Sequence, residues 1–295
     1  MVPSLPTLWR DWQTVWSVDV IAALVAVAYL VAVRRVARWP RWRTAGFLGG
    51  VACVVVALQS GVGAYDGRLL SAHMIQHLLL LEVAPLLLLG GRPAMLIVRS
   101  APRAGRPAIA RRLLALAPLT RPLVCLAIFY AVVLGTHVPA FYDATLSHNA
   151  LHEFEHGLYL TAGLFMWWPM VDGDPVAAHR LNGLARLAYV IAAMLPMTFI
   201  GAYLYRDVTL LYPAYAAPAR GLGVSAVGDQ QLAGSIMWVA GSFLMAMAGL
   251  WQVMVALIAE ERRMEVRERA AASAATTGER AAASAATSSE RMAGR

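Results

Sequence analysis

Lysine is absent from the 295 residues, so all 25 basic side chains are arginine. Charge of either sign is scarce: 14% of residues, against about 25% in a soluble globular chain. Two cysteines cannot build a disulfide scaffold, and 23 glycines fall far short of a collagen-like repeat. A glycine-rich phosphate loop, an HExxH zinc motif and a nucleophile elbow are all missing, so a soluble hydrolase or nucleotide enzyme has no support and the chain reads as non-enzymatic. The N-terminus MVPSLPTLWRDWQTVW lacks a basic region followed directly by an apolar stretch; the first span is expected to drive insertion in place of a cleaved signal. Apolar side chains make up 59% of the chain and its mean hydropathy is +0.59, which excludes disorder and leaves a multi-spanning membrane protein. The net charge of +8 does not signal nucleic acid, because the arginines sit in short loops between apolar runs instead of alternating with exposed aromatics.

Seven apolar segments approach the roughly 20 residues that a helix needs to cross the hydrocarbon core, at about 17–36, 44–63, 70–90, 119–138, 149–171, 184–205 and 231–258. The expected fold is therefore all-α, a polytopic bundle of seven transmembrane helices over 17–259. The loops after the first, third and fifth spans and the tail hold 21 arginines against 4 on the other side. This asymmetry predicts an N-terminus outside, with 1–16 as an outer segment, and a cytoplasmic C-terminus. The tail, 260–295, repeats an eleven-residue unit (ERAAASAATTG, then ERAAASAATSS) with no apolar face to bury, and reads as a frayed or disordered extension.

Six of the seven histidines fall at one predicted level, the outer one. His73 and His77 open the third span, His137 closes the fourth, and His148, His152 and His156 open the fifth; His179 alone lies in a cytoplasmic loop. His73 and His77 share a helical face in HMIQH, with Gln76 beside them. At about 100° per residue, His148, His152, Glu155 and His156 form a second stripe, from which Glu153 points away. Imidazoles on two facing stripes suit a transition metal, and a neighbouring carboxylate can fix a tautomer. The plain alternative is structural hydrogen bonding, but ionisable groups are costly within a bundle and suggest function.

Softer donors lie elsewhere. Met194 and Met197 flank Pro196 in MLPMTF, and Met237 sits about two turns inside the last span; thioethers select Cu(I), although most methionines in an apolar chain fill space. Asp229 reads as the cap of its own helix, with a supporting role at the metal site as the sharper alternative. Asp66, in YDGR, reads as a turn residue. Glu82 points roughly opposite to the His73/His77 face and reads as a neutral carboxyl hydrogen-bonded to a neighbouring helix. Cys53 and Cys125 lack CxxC spacing and read as buried apolar residues.

The stretches HMIQHLLLLEVAPLLLLGGRP, FEHGLYLTAGLFMWWPMVDGDP and DQQLAGSIMWVAG resemble the CtaG-like, seven-span proteins linked to assembly of caa-type cytochrome c oxidases; the resemblance covers about residues 15–258. It implies a role in maturing the oxidase copper centre in the bacterial inner membrane, with the catalytic subunit or other assembly factors as partners. On matching positions it carries His73, His77, His137 and His156 over as site residues; His148 and His152 rest on spacing. Copper is the expected metal, ahead of zinc or haem. The competing readings are a haem-binding electron-transfer protein and a copper transporter.

Overall fold

A computed structural model describes residues 11–170 and 181–293; His179 lies outside the described residues. Every regular element among them is helical. Helix α1 is Trp16–Arg34 and α2 is Arg41–Gln59, followed by a short helix, Gly61–Tyr65. Helix α3 is built from Leu70–Leu78, a π-helical turn Leu79–Val83, and Ala84–Gly90. Then come α4 (Pro93–Ser100), α5 (Arg106–Leu114), α6 (Pro122–Thr136), α7 (Pro139–Ser147), α8 (Asn149–Trp167), α9 (Gly183–Arg206) and α10 (Ala216–Gly221). Helix α11 begins as Ala226–Ser235, widens into a second π-helical turn at Ile236–Gly241, and resumes as Ser242–Ala293. The tail thus continues as helix to Ala293, where the sequence alone suggested a frayed extension; alanine, the strongest helix former, dominates it.

Among the described residues, five helical runs are long and apolar enough to cross a membrane: 16–34, 41–65, 70–100, 183–206 and 226–270. A sixth is gained if α6 and α7, bent by 72°, are counted as one broken span. The bend has a local cause. Val138 precedes Pro139, and a residue before proline is driven out of the α region; Val138 accordingly adopts φ −64°, ψ 124°.

Helix α3 is the hub, packing on α2, α8 and α11. Its π-helical turn is explained by Pro85, which supplies no N–H and whose ring would clash with the carbonyl four residues back, that of Leu81. The displaced Leu81 carbonyl faces Gly163 of α8, where any Cβ would collide with it. Pro196 likewise frees the Ala192 carbonyl in α9, and the Tyr130 hydroxyl donates to it at 2.6 Å. Gly201 of α9 and Gly234 of α11 let those two backbones touch: a Cβ on Gly234 would lie 2.6 Å from the Gly201 oxygen.

One large apolar core runs through α3, α6, α8, α9 and α11, and includes Phe129, Tyr159, Trp167 and Met197. A smaller one joins α1, α2 and α4, where Tyr29 stacks on Phe47 at 3.9 Å and donates to the Gly91 carbonyl at 2.8 Å. Buried Arg186 donates to the Leu181 and Gln252 carbonyls, tying α9 to α11 at the end away from the histidines.

Gly234→Val is expected to destabilise the bundle by about 2 kcal/mol or more through overpacking. Gly135→Ala, at a helical position with nothing within 4 Å of the added carbon, is expected to be neutral or slightly stabilising. Thermal unfolding in detergent compares the two; equal midpoints would contradict the close α9–α11 contact.

Candidate metal centre

The histidines gather where α3 and α8 begin and α6 ends, and the structure divides them into two levels. In the upper group, His73 Nε2 stands 3.8 Å from a Glu155 oxygen, while His152 Nε2 and His156 Nε2 stand 3.8 and 4.0 Å from one Asp66 oxygen. One ligand atom from each of Asp66, His152 and His156 fits within 4.8 Å of the others, and the same holds for His73, His152 and Glu155; His152 belongs to both sets. Its ring lies 5.3 Å from that of His73 and 4.4 Å from that of His156. In the lower pair, the rings of His77 and His137 are 6.3 Å apart, and His77 stacks on Tyr159 at 3.6 Å. The two levels meet edge-on at His73 and His77, 4.1 Å apart.

His148 is not brought to this group. It is exposed at the N-cap of α8, and its Nδ1 contacts the Ala144 carbonyl of its own turn at 3.2 Å. The stripe spacing that included it carried the helical period back to residue 148, whereas His148 is the extended residue between α7, which ends at Ser147, and α8, which begins at Asn149.

Hydrogen bonds indicate which nitrogens are open. The Val133 carbonyl, an acceptor only, lies 2.7 Å from His137 Nδ1, so that nitrogen carries the proton and Nε2 presents a lone pair. The Tyr215 hydroxyl donates to the Asp66 carbonyl at 2.8 Å and meets His73 Nδ1 at 3.4 Å; with its proton committed, it accepts from His73 and leaves that Nε2 bare. Among the described residues, the Nε2 atoms of His73, His77, His137, His152 and His156 are buried without a hydrogen-bond partner. Buried polar atoms are seldom left in that state without a functional cause. Imidazole and carboxylate donors with fixed tautomers have the chemistry of a transition-metal site, and these residues fit one.

Other sequence readings need revision. Asp66 does close its turn, accepting from the Gly67 N–H, but its second oxygen faces His152 and His156 and accepts from Gln76 Nε2 at 3.0 Å. Gln76, which also reaches the Ala57 carbonyl at 3.1 Å, therefore supports the group through Asp66. Burial raises the Asp66 carboxyl above its usual range, against the pull of His152 and Gln76. Asp229 is a cap, though not of its own helix, whose N-cap is Ser225. It accepts from the Leu70 N–H at 2.6 Å and from the Ser71 N–H and hydroxyl, fixing the N-terminus of the helix that carries His73 and His77. Met197 is buried below the lower pair, whereas Met194 is half-buried against the core and does not line the histidine sites. Glu82 makes no hydrogen bond to a neighbouring helix; both of its oxygens are unpartnered among the described residues.

Four tyrosines escaped the sequence reading. Tyr142 and Tyr159 line the group from α7 and α8, with the Tyr159 hydroxyl 2.7 Å from that of Thr136. Tyr212 and Tyr215 enter from the segment between α9 and α11; Tyr212 donates to the His137 carbonyl at 3.1 Å. Burial pushes the phenols of Tyr212 and Tyr215 upward, keeping them protonated donors. Tyr159 continues the His152/His156 stripe at helical spacing, a signal the sequence did carry, whereas Tyr212 and Tyr215 lie in a connecting segment that no helical period could have placed. A cleft of about 720 Å³ between α1, α2 and α8 reaches the upper group from the side; apolar Val18, Ile21, Val54 and Leu58 line it, and Asp66, His152 and His156 stand at its polar end.

A family model described as cytochrome c oxidase caa3 assembly factor matches residues 27–259. The chain is 28% identical to an uncharacterized protein of Mycobacterium bovis over 282 residues, and to one of Mycobacterium tuberculosis over the same length; 88% of this chain is aligned in each case. An uncharacterized Mycobacterium leprae protein is 28% identical over 287 residues, covering 89% of the chain. The match spans only 40–41% of these relatives' own length. No solved structure matches the chain.

Asp229→Ala is expected to cost about 1–3 kcal/mol, since two backbone N–H groups and a hydroxyl lose their acceptor. A lowered unfolding midpoint in detergent checks this; an unchanged one would mean that Asp229 does not hold α3.

Proposed function

The chain belongs to the cytochrome c oxidase caa3 assembly factor family, and on that premise we propose that it is a non-enzymatic membrane factor that holds copper for maturation of the oxidase copper centre. The cargo site in this reading is the upper group, His73, His152 and His156 with Asp66 and Glu155, and the lower pair His77 and His137 adjoins it. The observation that carries the reading is the convergence of buried, unpartnered Nε2 atoms on two carboxylates. Desolvating such groups without a proton or a cation between them is costly, and a bound metal relieves that cost. Copper is preferred over zinc because the family serves a copper enzyme.

In the same reading there are seven spans. The six already counted are joined by α8, whose 19 residues are long enough to cross but carry the histidine stripe and two glutamates. The distribution of 21 arginines to 4 supports an N-terminus outside and a cytoplasmic tail in the bacterial cell membrane, which sets the histidine end outside. Copper arriving from that side would meet the upper group without crossing the apolar half. The lateral cleft, apolar along its length and polar where it meets Asp66 and His152, supports approach of the client within the bilayer, and the oxidase catalytic subunit is the proposed client.

His152→Ala/His156→Ala is expected to leave the chain inserted and folded while lowering the copper retained through detergent purification, read by metal mass spectrometry, and lowering oxidase activity in the membranes. A double variant that keeps its copper and supports a fully active oxidase would refute the reading. Haem bands in the visible spectrum of the purified chain would instead assign it to electron transfer.

A further inference from the structure

Directly beneath His77 and His137 lies a small cavity lined by Met74, Met197 and Met237, by those two histidines and Tyr159, and by three aliphatic side chains. It offers about 10 Å³, the room of one water-sized sphere. Thioether side chains from three different helices, α3, α9 and α11, line the same small space as two imidazoles whose Nε2 atoms are unpartnered among the described residues. His137, nine-tenths buried, has its proton committed to the Val133 carbonyl and only a lone pair on Nε2. His77 is 3% exposed, and neither of its ring nitrogens has a partner among the described residues. An empty apolar void would leave these nitrogens desolvated for no return. A water there would find acceptors on the imidazoles but only weak thioether partners elsewhere, short of the two to four polar contacts that retain buried water.

The backbone around the cavity is irregular in a consistent way. Met237 sits in the π-helical turn of α11, His77 lies two residues before that of α3, and Met197 follows Pro196 in α9. The two π-helical turns are of a rare kind that occurs often at functional sites. Gly241 completes the lower wall: a Cβ there would press on the Met197 methyl at 2.9 Å and approach a Glu82 oxygen at 3.3 Å. The Glu82 carboxyl, unpartnered among the described residues, thus lies near the Met197 methyl.

We propose that this cavity is a second, separate metal site, specific for a soft monovalent cation, Cu(I), with thioether sulfurs of Met74, Met197 and Met237 and imidazole nitrogens of His77 and His137 as its donors. Its chemistry differs from that of the upper group. Nitrogen and carboxylate oxygen above accept several transition metals, whereas thioethers admit Cu(I) and discriminate against zinc and Cu(II). The proposal rests on the copper reading of the upper group for its biological cargo, although its ligands, apart from the shared edge at His77, are its own.

The experiment is X-ray absorption at the copper edge on the full chain in detergent, loaded with Cu(I) under reducing conditions. The wild type is expected to show sulfur scatterers beside nitrogen, and chain made with selenomethionine is expected to show a copper–selenium shell with the sequence unaltered. Met74→Leu/Met197→Leu/Met237→Leu keeps side-chain volume; it is expected to lose the sulfur shell and weaken Cu(I) binding by about tenfold or more, while copper held by the upper group persists. In His152→Ala/His156→Ala the sulfur shell is expected to remain. Wild-type Cu(I) bound through nitrogen and oxygen alone, with no selenium shell in the labelled chain, overturns the second site and leaves the upper one standing. Sulfur-bound Cu(I) in a chain whose upper group binds nothing supports the second site and removes the first. No bound copper at all overturns both.

Discussion

Imidazoles and carboxylates brought together inside an apolar bundle need a proton or a cation between them, and most of the surrounding structure serves to hold them close despite that demand. Asp229 pins the start of α3 from the other end of the chain, Gln76 and the Gly67 N–H grip Asp66, and Tyr215 bridges the Asp66 backbone to His73. The Val133 carbonyl orients His137, and Tyr159 lies flat against His77. None of these supporting groups satisfies the Nε2 atoms themselves. A fold optimised only for stability would have paired or replaced them, since a buried polar group without a partner costs roughly 1–3 kcal/mol.

The depth of the site follows from how the helices are deformed. An α-helix turns about 100° per residue and a π-helical turn about 20° less. Over the five residues Leu79–Val83 this difference accumulates to about a right angle, so residues beyond the turn face a direction that regular periodicity does not predict. Glu82, opposite His77 on an ideal helical wheel, lies instead close to Gly241 and the Met197 methyl, below the lower histidines. Close backbone contacts at Gly163 and Gly201 accept the displaced turns, and in this way α3, α8, α9 and α11 approach closely enough for side chains from all four to border one small volume.

Much of this was legible in the sequence, and the boundary of what was legible has physical causes. Apolar run length marked the helices, and period 3.6 placed His73 with His77 and His152 with Glu155 and His156, because these depend on chemistry repeated within one element. Asp66 was taken for a turn residue because its second role depends on a partner helix, α8, about 90 residues away in sequence. Asp229 was read as a cap, correctly in kind, but its beneficiary is 158 residues distant. His148 was grouped with its neighbours because the short helix α7 and the break before α8 leave no periodic trace. Tyr212 and Tyr215 come from a connecting segment, where no period exists to read.

The Asp229 cap has a consequence for how the protein is made. Residues 73 and 77 leave the ribosome long before residues 212, 215 and 229, yet the late residues are what fix the early ones. During synthesis the first five helices can enter the bilayer with their imidazoles still free to turn and exchange with solvent. The site becomes rigid only when the last span arrives and its carboxylate closes on α3. The geometry of the cluster is therefore completed at the end of biogenesis, and a chain truncated before the last helix would carry every histidine of the cluster without the contacts that hold them in place.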